Sequence, residues 1–347
     1  MLDVEFRRLL DRFGVGQVAS NSLLATTATQ DDLRRGWKIA LERADRRGLD
    51  ESLMEWIRTQ FGHIASDEAS DDARALAAEV EAALRLSWVA PVVQIKARKR
   101  PTCDFRVGAF NVEVYCPQKH REERRVVEAV INEELKKAIG PVKIGIAIGH
   151  LTTGSGRRVD IDGRVVREVG SMAASFPANK LIDRTLSDKK REGRQFPDGD
   201  LNILWLDLKQ GLGLSAIDCI PLRSVVAKGT CFVGMTGVWH AFYGQTGDPL
   251  FQERTALEYP VRPGSYPQQR DGWFREVGNV SCAIISVLDG LIRLDNPWAA
   301  VPLGLATGAL LMRLSELRPE FSWFDGQART LRMRVDAERR RIARLAK

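Results

Sequence analysis

The spacing of apolar residues changes once, near Pro91. Up to that point they recur every three to four positions, over residues 31–46, 50–61 and 73–86, and Ser70-Asp71-Asp72 is a capping signal before the third stretch. Beyond Pro91 the pattern shifts to short runs of β-branched and aromatic residues separated by longer amphipathic segments. Residues 102–107 and 110–115 flank Gly108-Ala109 and predict a hairpin. Residues 120–139 predict a long helix stopped by Gly140-Pro141, and 141–148 a strand. Residues 176–194 predict a helix, and 201–208, apolar almost throughout, a strand covered on both faces. Strands and helices that alternate in this way require right-handed crossovers. The expected fold class is therefore α/β: a central mixed sheet flanked by helices, with helical additions at both ends.

The remaining chain fits around that core. Residues 151–170 hold four glycines and predict a loop leading into an exposed hairpin turned at Asp162-Gly163. Residues 231–235 and 280–287 predict two further strands, with the Gly- and Pro-rich segment 244–273 as a long surface loop between them. After Asn296-Pro297-Trp298 the chain returns to helix and finishes in a basic stretch, 329–347. Its apolar stripe, Leu331, Val335, Ile342 and Leu345, predicts docking on the body, on another copy of the chain (a homo-oligomer) or on a protein partner. The expected division is an N-terminal helical region at 1–70, an α/β core at 71–302 and a C-terminal basic region at 303–347.

Composition excludes several classes. The hydrophobic share of 44% suffices for a core. Five scattered cysteines without a CxxC pair argue against a disulfide framework and for a reducing compartment, and four distant histidines form no zinc spacing. Residues 1–16 lack the apolar core of a signal peptide, and the apolar stretch 299–312 is too short to span a bilayer. The expected localisation is cytoplasmic, with no membrane contact. A net charge of +7 points to an anionic partner. Basic clusters lie at 96–100, at Arg121, Arg124 and Arg125, at 189–194 and along 329–347; the first two flank the hairpin.

That hairpin carries the chemistry. Asp104 begins its first strand and Glu113 sits in the middle of its second, between Val112 and Val114 in a run that otherwise reads as core. Carboxylates are rarely buried without a partner or a metal. Two of them converging at one end of a sheet suit Mg²⁺, which takes one or two carboxylates and fills its shell with water and phosphate.

Here the chain resembles the restriction-endonuclease-like PD-(D/E)xK nucleases. In that superfamily an Asp on one strand is followed by acid-x-Lys on the next, and a Glu from the preceding helix completes the site. Asp104 resembles the family's Asp and Glu113 its acid. In the helix Ala77-Ala78-Glu79-Val80-Glu81, Glu79 is the first match and Glu81 the second. Asp188-Lys189-Lys190, then Gln195-Phe196 before Leu201-Asn202-Ile203-Leu204, is similar to the family's helix bearing Lys and Gln ahead of its next core strand. Phe242-Tyr243-Gly244 and Asn296-Pro297-Trp298-Ala299 are similar to segments recurring in members. The resemblance covers roughly residues 72–302. It implies a Mg²⁺- or Mn²⁺-dependent nuclease acting on DNA ahead of RNA, with Asp104 and Glu113 as metal ligands. Glu79 would hold metal or water, and Gln195 would orient phosphate or water.

One position departs from the pattern. The motif lysine falls at residue 115, which is Tyr115, and a phenol of pKa about 10 supplies no cation. Lys119, Lys180, Lys189 and Lys190 are the candidate replacements, with Lys190 or Lys189 expected in that role. The alternative is a catalytically inactive nuclease-fold module that binds nucleic acid or a protein. A looser pattern, Gly211-x-Gly213-x-x-Ala216, suggests a dinucleotide fingerprint. It lacks a convincing following helix and an acidic residue ending a second strand.

Overall fold

The computed structural model describes residues 3–66, 70–95, 103–117, 150–152, 158–160, 195–216, 224–227, 230–233, 241–246, 249–250, 266–267 and 271–324. Within them the helices are α1 (Val4–Arg12), α2 (Leu23–Thr29), α3 (Asp31–Arg47), α4 (Glu51–Ser66), α5 (Asp71–Ser87), α6 (Leu208–Leu212), α7 (Trp273–Glu276) and α8 (Leu305–Leu311). The N-termini are capped where the sequence offers an oxygen. Asp3 accepts from Glu5 N, Ser22 from Ala25 N and Ser70 from Ala73 N. The capping signal at 70–72 therefore opens α5.

The strands are β1 (Val92–Gln94), β2 (Phe105–Val107), β3 (Phe110–Tyr115), β4 (His150–Thr152), β5 (Arg158–Asp160), β6 (Leu201–Asp207), β7 (Ser224–Ala227), β8 (Thr230–Val233), β9 (Pro249–Leu250), β10 (Tyr266–Pro267), β11 (Cys282–Val287) and β12 (Gly290–Asp295). Six of them form one mixed sheet in the order β1-β2-β3-β6-β11-β12. The first three are an antiparallel meander. β6 runs parallel to both β3 and β11, and β12 returns antiparallel to β11. The hairpin closes at Gly108, whose φ of +57° is the left-handed conformation that glycine tolerates.

Alternation along the central strands divides the core into two layers. Val112, Val114, Ile203, Trp205, Cys282 and Ile284 face a cluster built by α1–α5. Leu204, Leu206, Ala283 and Ile285 face a second cluster with Phe242, Tyr243, Trp273 and Phe274. The expectation that strand 201–208 is covered on both sides is met at Ile203 and Leu204, both wholly buried. The Phe242-Tyr243 and Asn296-Pro297-Trp298 segments meet in this second layer. Tyr243 Oη donates to Asp295 O at 2.7 Å, and its ring lies 6.4 Å from that of Trp298.

Three features differ from the sequence expectations. β4 and β5 pair within the segment expected as a loop, ahead of the Asp162-Gly163 signal, which lies outside the described residues. Segment 244–273, expected as a loop, contributes the antiparallel pair β9–β10. β12 was not anticipated. It pairs with β11 through the Leu288-Asp289 turn, and its outer edge is bonded to residues 316–323, with Trp323 N donating to Arg293 O at 2.8 Å. The expected helices 120–139 and 176–194, the strand 141–148 and the basic helix 329–347 lie outside the described residues. No helix among the described residues is long and apolar enough to cross a membrane.

Candidate functional site

Asp104 stands just before β2, where the hairpin ladder ends. Its N–H donates to Val112 O at 3.0 Å, and its Oδ2 accepts from Val114 N at 2.7 Å. One residue thus clasps both neighbours of Glu113. A carboxylate that takes a backbone N–H forms one of the stronger kinds of hydrogen bond, and it holds the carboxyl at the strand edge. Glu113 is 3% exposed, between two valines on a strand parallel to β6. By alternation its side chain leaves β3 on the face opposite Val112 and Val114, the same face as the half-buried Tyr115.

The third acid comes from α5. The Glu79 carboxyl is pushed up from 4.5 to about 7, first by burial, then by the negative charges of Asp104 and Glu113. The charges of Asp104, just before β2, and of Glu113 on β3 thus reach Glu79 on α5. Gln195 is also nearby in the chain's packing. Its carbonyl accepts from the thiol of Cys103, the residue before Asp104, at 3.0 Å.

Glu81, the second match, is elsewhere. It is wholly buried and bonded by Lys209 and Arg85, the Arg85 Nε–Glu81 Oε1 distance being 2.8 Å. Burial drives the Glu81 carboxyl up, and Lys209 and then Arg85 outweigh it, leaving the group below its ordinary value. Arg85 Nη1 reaches on to Glu316 at 2.8 Å. Asp207 caps α6, accepting Gln210 N at 2.7 Å, and burial raises its carboxyl to about 6 against the pull of Lys209. Sequence reasoning missed this group. The signal was present as an acid-x-Lys triplet, Asp207-Leu208-Lys209, at the end of a core strand.

The lysine expectation falls outside the described part of the chain. The described lysines are Lys38 and Lys209, paired with Glu5 and Glu81 respectively. Lys119, Lys180, Lys189 and Lys190 lie outside the described residues. The glycine pattern at 211–216 is not a phosphate loop. Gly211 lies inside α6, and Gly213 ends that helix at φ +64°.

Among the described residues, no group of three His, Cys, Asp or Glu side chains is arranged to hold a metal ion. The donor chemistry at Asp104, Glu113 and Glu79 nonetheless suits a hard cation. Mg²⁺ needs only one or two protein carboxylates, and the Asp104 and Glu113 charges, which add to burial in raising Glu79, are what a divalent charge offsets. Compared with known protein families, curated proteins and solved structures, the chain matches none.

Proposed function

We propose that this protein is a divalent-metal-dependent nuclease that hydrolyses phosphodiester bonds in DNA, on a restriction-endonuclease-like core. The observation that carries the reading is the half-buried Glu79 carboxyl, raised to about 7 by burial and then by the charges of Asp104 and Glu113. The parallel pairing of β6 beside the carboxylate hairpin agrees with the order of the resemblance.

In this reading Asp104 and Glu113 hold Mg²⁺ or Mn²⁺. A metal bound there polarises the scissile phosphate and lowers the pKa of a bound water. The chain's own groups do the rest. Asp104 is fixed by the Val114 N–H. Glu79, poised near neutrality, holds or passes a proton at its carboxyl. Gln195, beside Cys103, orients phosphate or water. Lys190 or Lys189 supplies the cation that Tyr115 does not. The basic clusters around the hairpin bind the phosphate backbone without reading sequence.

The test is cleavage of plasmid and oligonucleotide DNA with Mg²⁺ or Mn²⁺, with Glu113→Gln as the control that preserves volume. Loss of cleavage in that variant is expected. A Glu113→Gln protein that cuts at the parental rate would overturn the assignment.

A further inference from the structure

Helix α5 carries two acids with opposite fates. Glu79 and Glu81 are two residues apart, so they project about 200° apart around the helix. One lies in the field of Asp104 and Glu113; the other is clamped by Lys209 and Arg85. Any rotation or slide of α5 that changes the Glu81 contact must therefore also displace Glu79.

The apolar packing of α5 mixes small and larger side chains: Ala73, Ala77, Ala78, Ala82 and Ala83 are each at most 3% exposed, and Val80, Leu84 and Leu86 are wholly buried. Apolar contacts hold the helix down without direction, and the alanines let it approach closely. A buried ion pair resists sliding, because a shift leaves a charge without its partner in a low-dielectric interior. Buried polar contacts that specify register are the best-attested use of such pairs.

Lys209 opens from α6 directly after β6, and β6 pairs with β3, the strand of Glu113. The ion pair thus ties the Glu79 helix to the strand beside the Glu113 strand. From the third side, α3 approaches through Gly36, whose carbonyl accepts Arg85 Nη2 at 3.3 Å. A Cβ at Gly36 would lie 3.1 Å from Arg85 Nη2, 3.6 Å from Lys209 Nζ and 3.8 Å from Glu81 Oε1.

We infer that the Glu81–Lys209 ion pair, closed over by Arg85 and Gly36, sets the seat of α5 on the sheet and so positions Glu79 against Asp104 and Glu113. Glu81, Lys209 and Gly36 are positioning residues; none of them touches substrate. The inference rests on the proposed reading of Asp104 and Glu113 as metal ligands, with Glu79 helping to hold the metal or its water.

The experiment compares four full-length proteins: the parent, Lys209→Arg, the neutral pair Glu81→Gln/Lys209→Met, and Gly36→Ala. Each is tested for Mn²⁺ binding by calorimetry and for fold by circular dichroism. The neutral pair removes one charge of each sign and keeps the volumes close. Gly36→Ala leaves every charge in place and favours the α3 helix, so it decides the matter if the neutral pair does not fold. The expected result is at least tenfold weaker Mn²⁺ binding in the neutral pair, several-fold weaker binding in Gly36→Ala, and rescue to within about twofold in Lys209→Arg. Parental Mn²⁺ affinity in a folded neutral pair, or in Gly36→Ala, would overturn the positioning role. A parental Mn²⁺ signal that persists in Asp104→Ala, or no signal at all, would overturn the site reading itself, so the two failures are distinguishable.

Discussion

The Oδ2 atom of Asp104 accepts the backbone N–H of Val114 at 2.7 Å, across the point where β2 stops pairing with β3. Asp104 therefore does two jobs that substitution can separate. As an acceptor it satisfies an N–H next to the buried Glu113. As a charge it is a proposed metal ligand.

Asp104→Ala should lose both. An orphaned buried N–H costs about 1–3 kcal/mol, so its urea midpoint should fall along with metal binding. Asp104→Asn keeps an oxygen acceptor and removes the charge. Its stability should stay within about 1 kcal/mol of the parent while Mn²⁺ binding is lost. Denaturation and calorimetry on the two variants check this. An Asn variant that binds Mn²⁺ like the parent would reduce Asp104 to a clasp.

The raised Glu79 carboxyl makes a prediction about pH. Its folded value of about 7 lies above its ordinary 4.5, so between those values the folded state holds a proton that the unfolded state has released. The contribution of this group should thus be greatest below about pH 4.5 and decline as pH rises through 7, by at most about 1.4 kcal/mol per unit. Asp207, raised to about 6, acts in the same direction over a lower window, so the interval from pH 6 to 7 isolates Glu79. Urea midpoints measured there should drop in the parent and stay level in Glu79→Gln. Mg²⁺ should shrink the parental drop, because a cation favours the ionised acid. Equal slopes in parent and variant would show that Glu79 keeps ordinary titration.

Much of this arrangement was legible beforehand, for physical reasons that can be named. The carboxylate hairpin announced itself by period-two alternation around a glycine turn, and α5 by a cap and an apolar stripe. The choice between Glu79 and Glu81 could not be made from spacing alone. Both lie on one helix, and only the partners across the interface, Asp104 and Glu113 or Lys209 and Arg85, distinguish them. Lys209 was not singled out by its spacing; it is 4% exposed and neutralises a buried acid. β12 escaped because Arg293 and Asp295 make it look like a solvated edge. They share one face and bond to each other at 2.7 Å, both buried. A charge pair that cancels inside the core reads, in one dimension, as surface.

If the +7 charge serves a phosphate backbone, DNA affinity should fall steeply with salt. Each neutralised phosphate contributes about −0.9 to the slope of log K against log salt. Fluorescence anisotropy with labelled duplex between low and moderate ionic strength checks it. A flat response would leave the charge as an ordinary solvated surface.

The last prediction concerns the missing cation. Tyr115 occupies the motif position on the same strand face as Glu113, and its phenol cannot replace an ammonium. Among the described residues the lysines pair with Glu5 and Glu81, so the proposed nuclease would need its cation from another part of the chain. Gln195 has its carbonyl bonded to Cys103, beside Asp104, and Lys190 lies only five residues earlier in the sequence. The resemblance puts the family's lysine on the segment ahead of Gln195, which favours Lys190 over Lys119. Lys190→Ala should therefore cost more than about a hundredfold in cleavage rate with Mn²⁺ binding unchanged, a barrier increase of roughly 2.7 kcal/mol. Tyr115→Phe should cost less than about tenfold, or roughly 1.4 kcal/mol. Single-turnover cleavage of a defined duplex measures both. A damaging Lys119→Ala beside a harmless Lys190→Ala would move the cation to the hairpin exit and leave the carboxylate assignment standing.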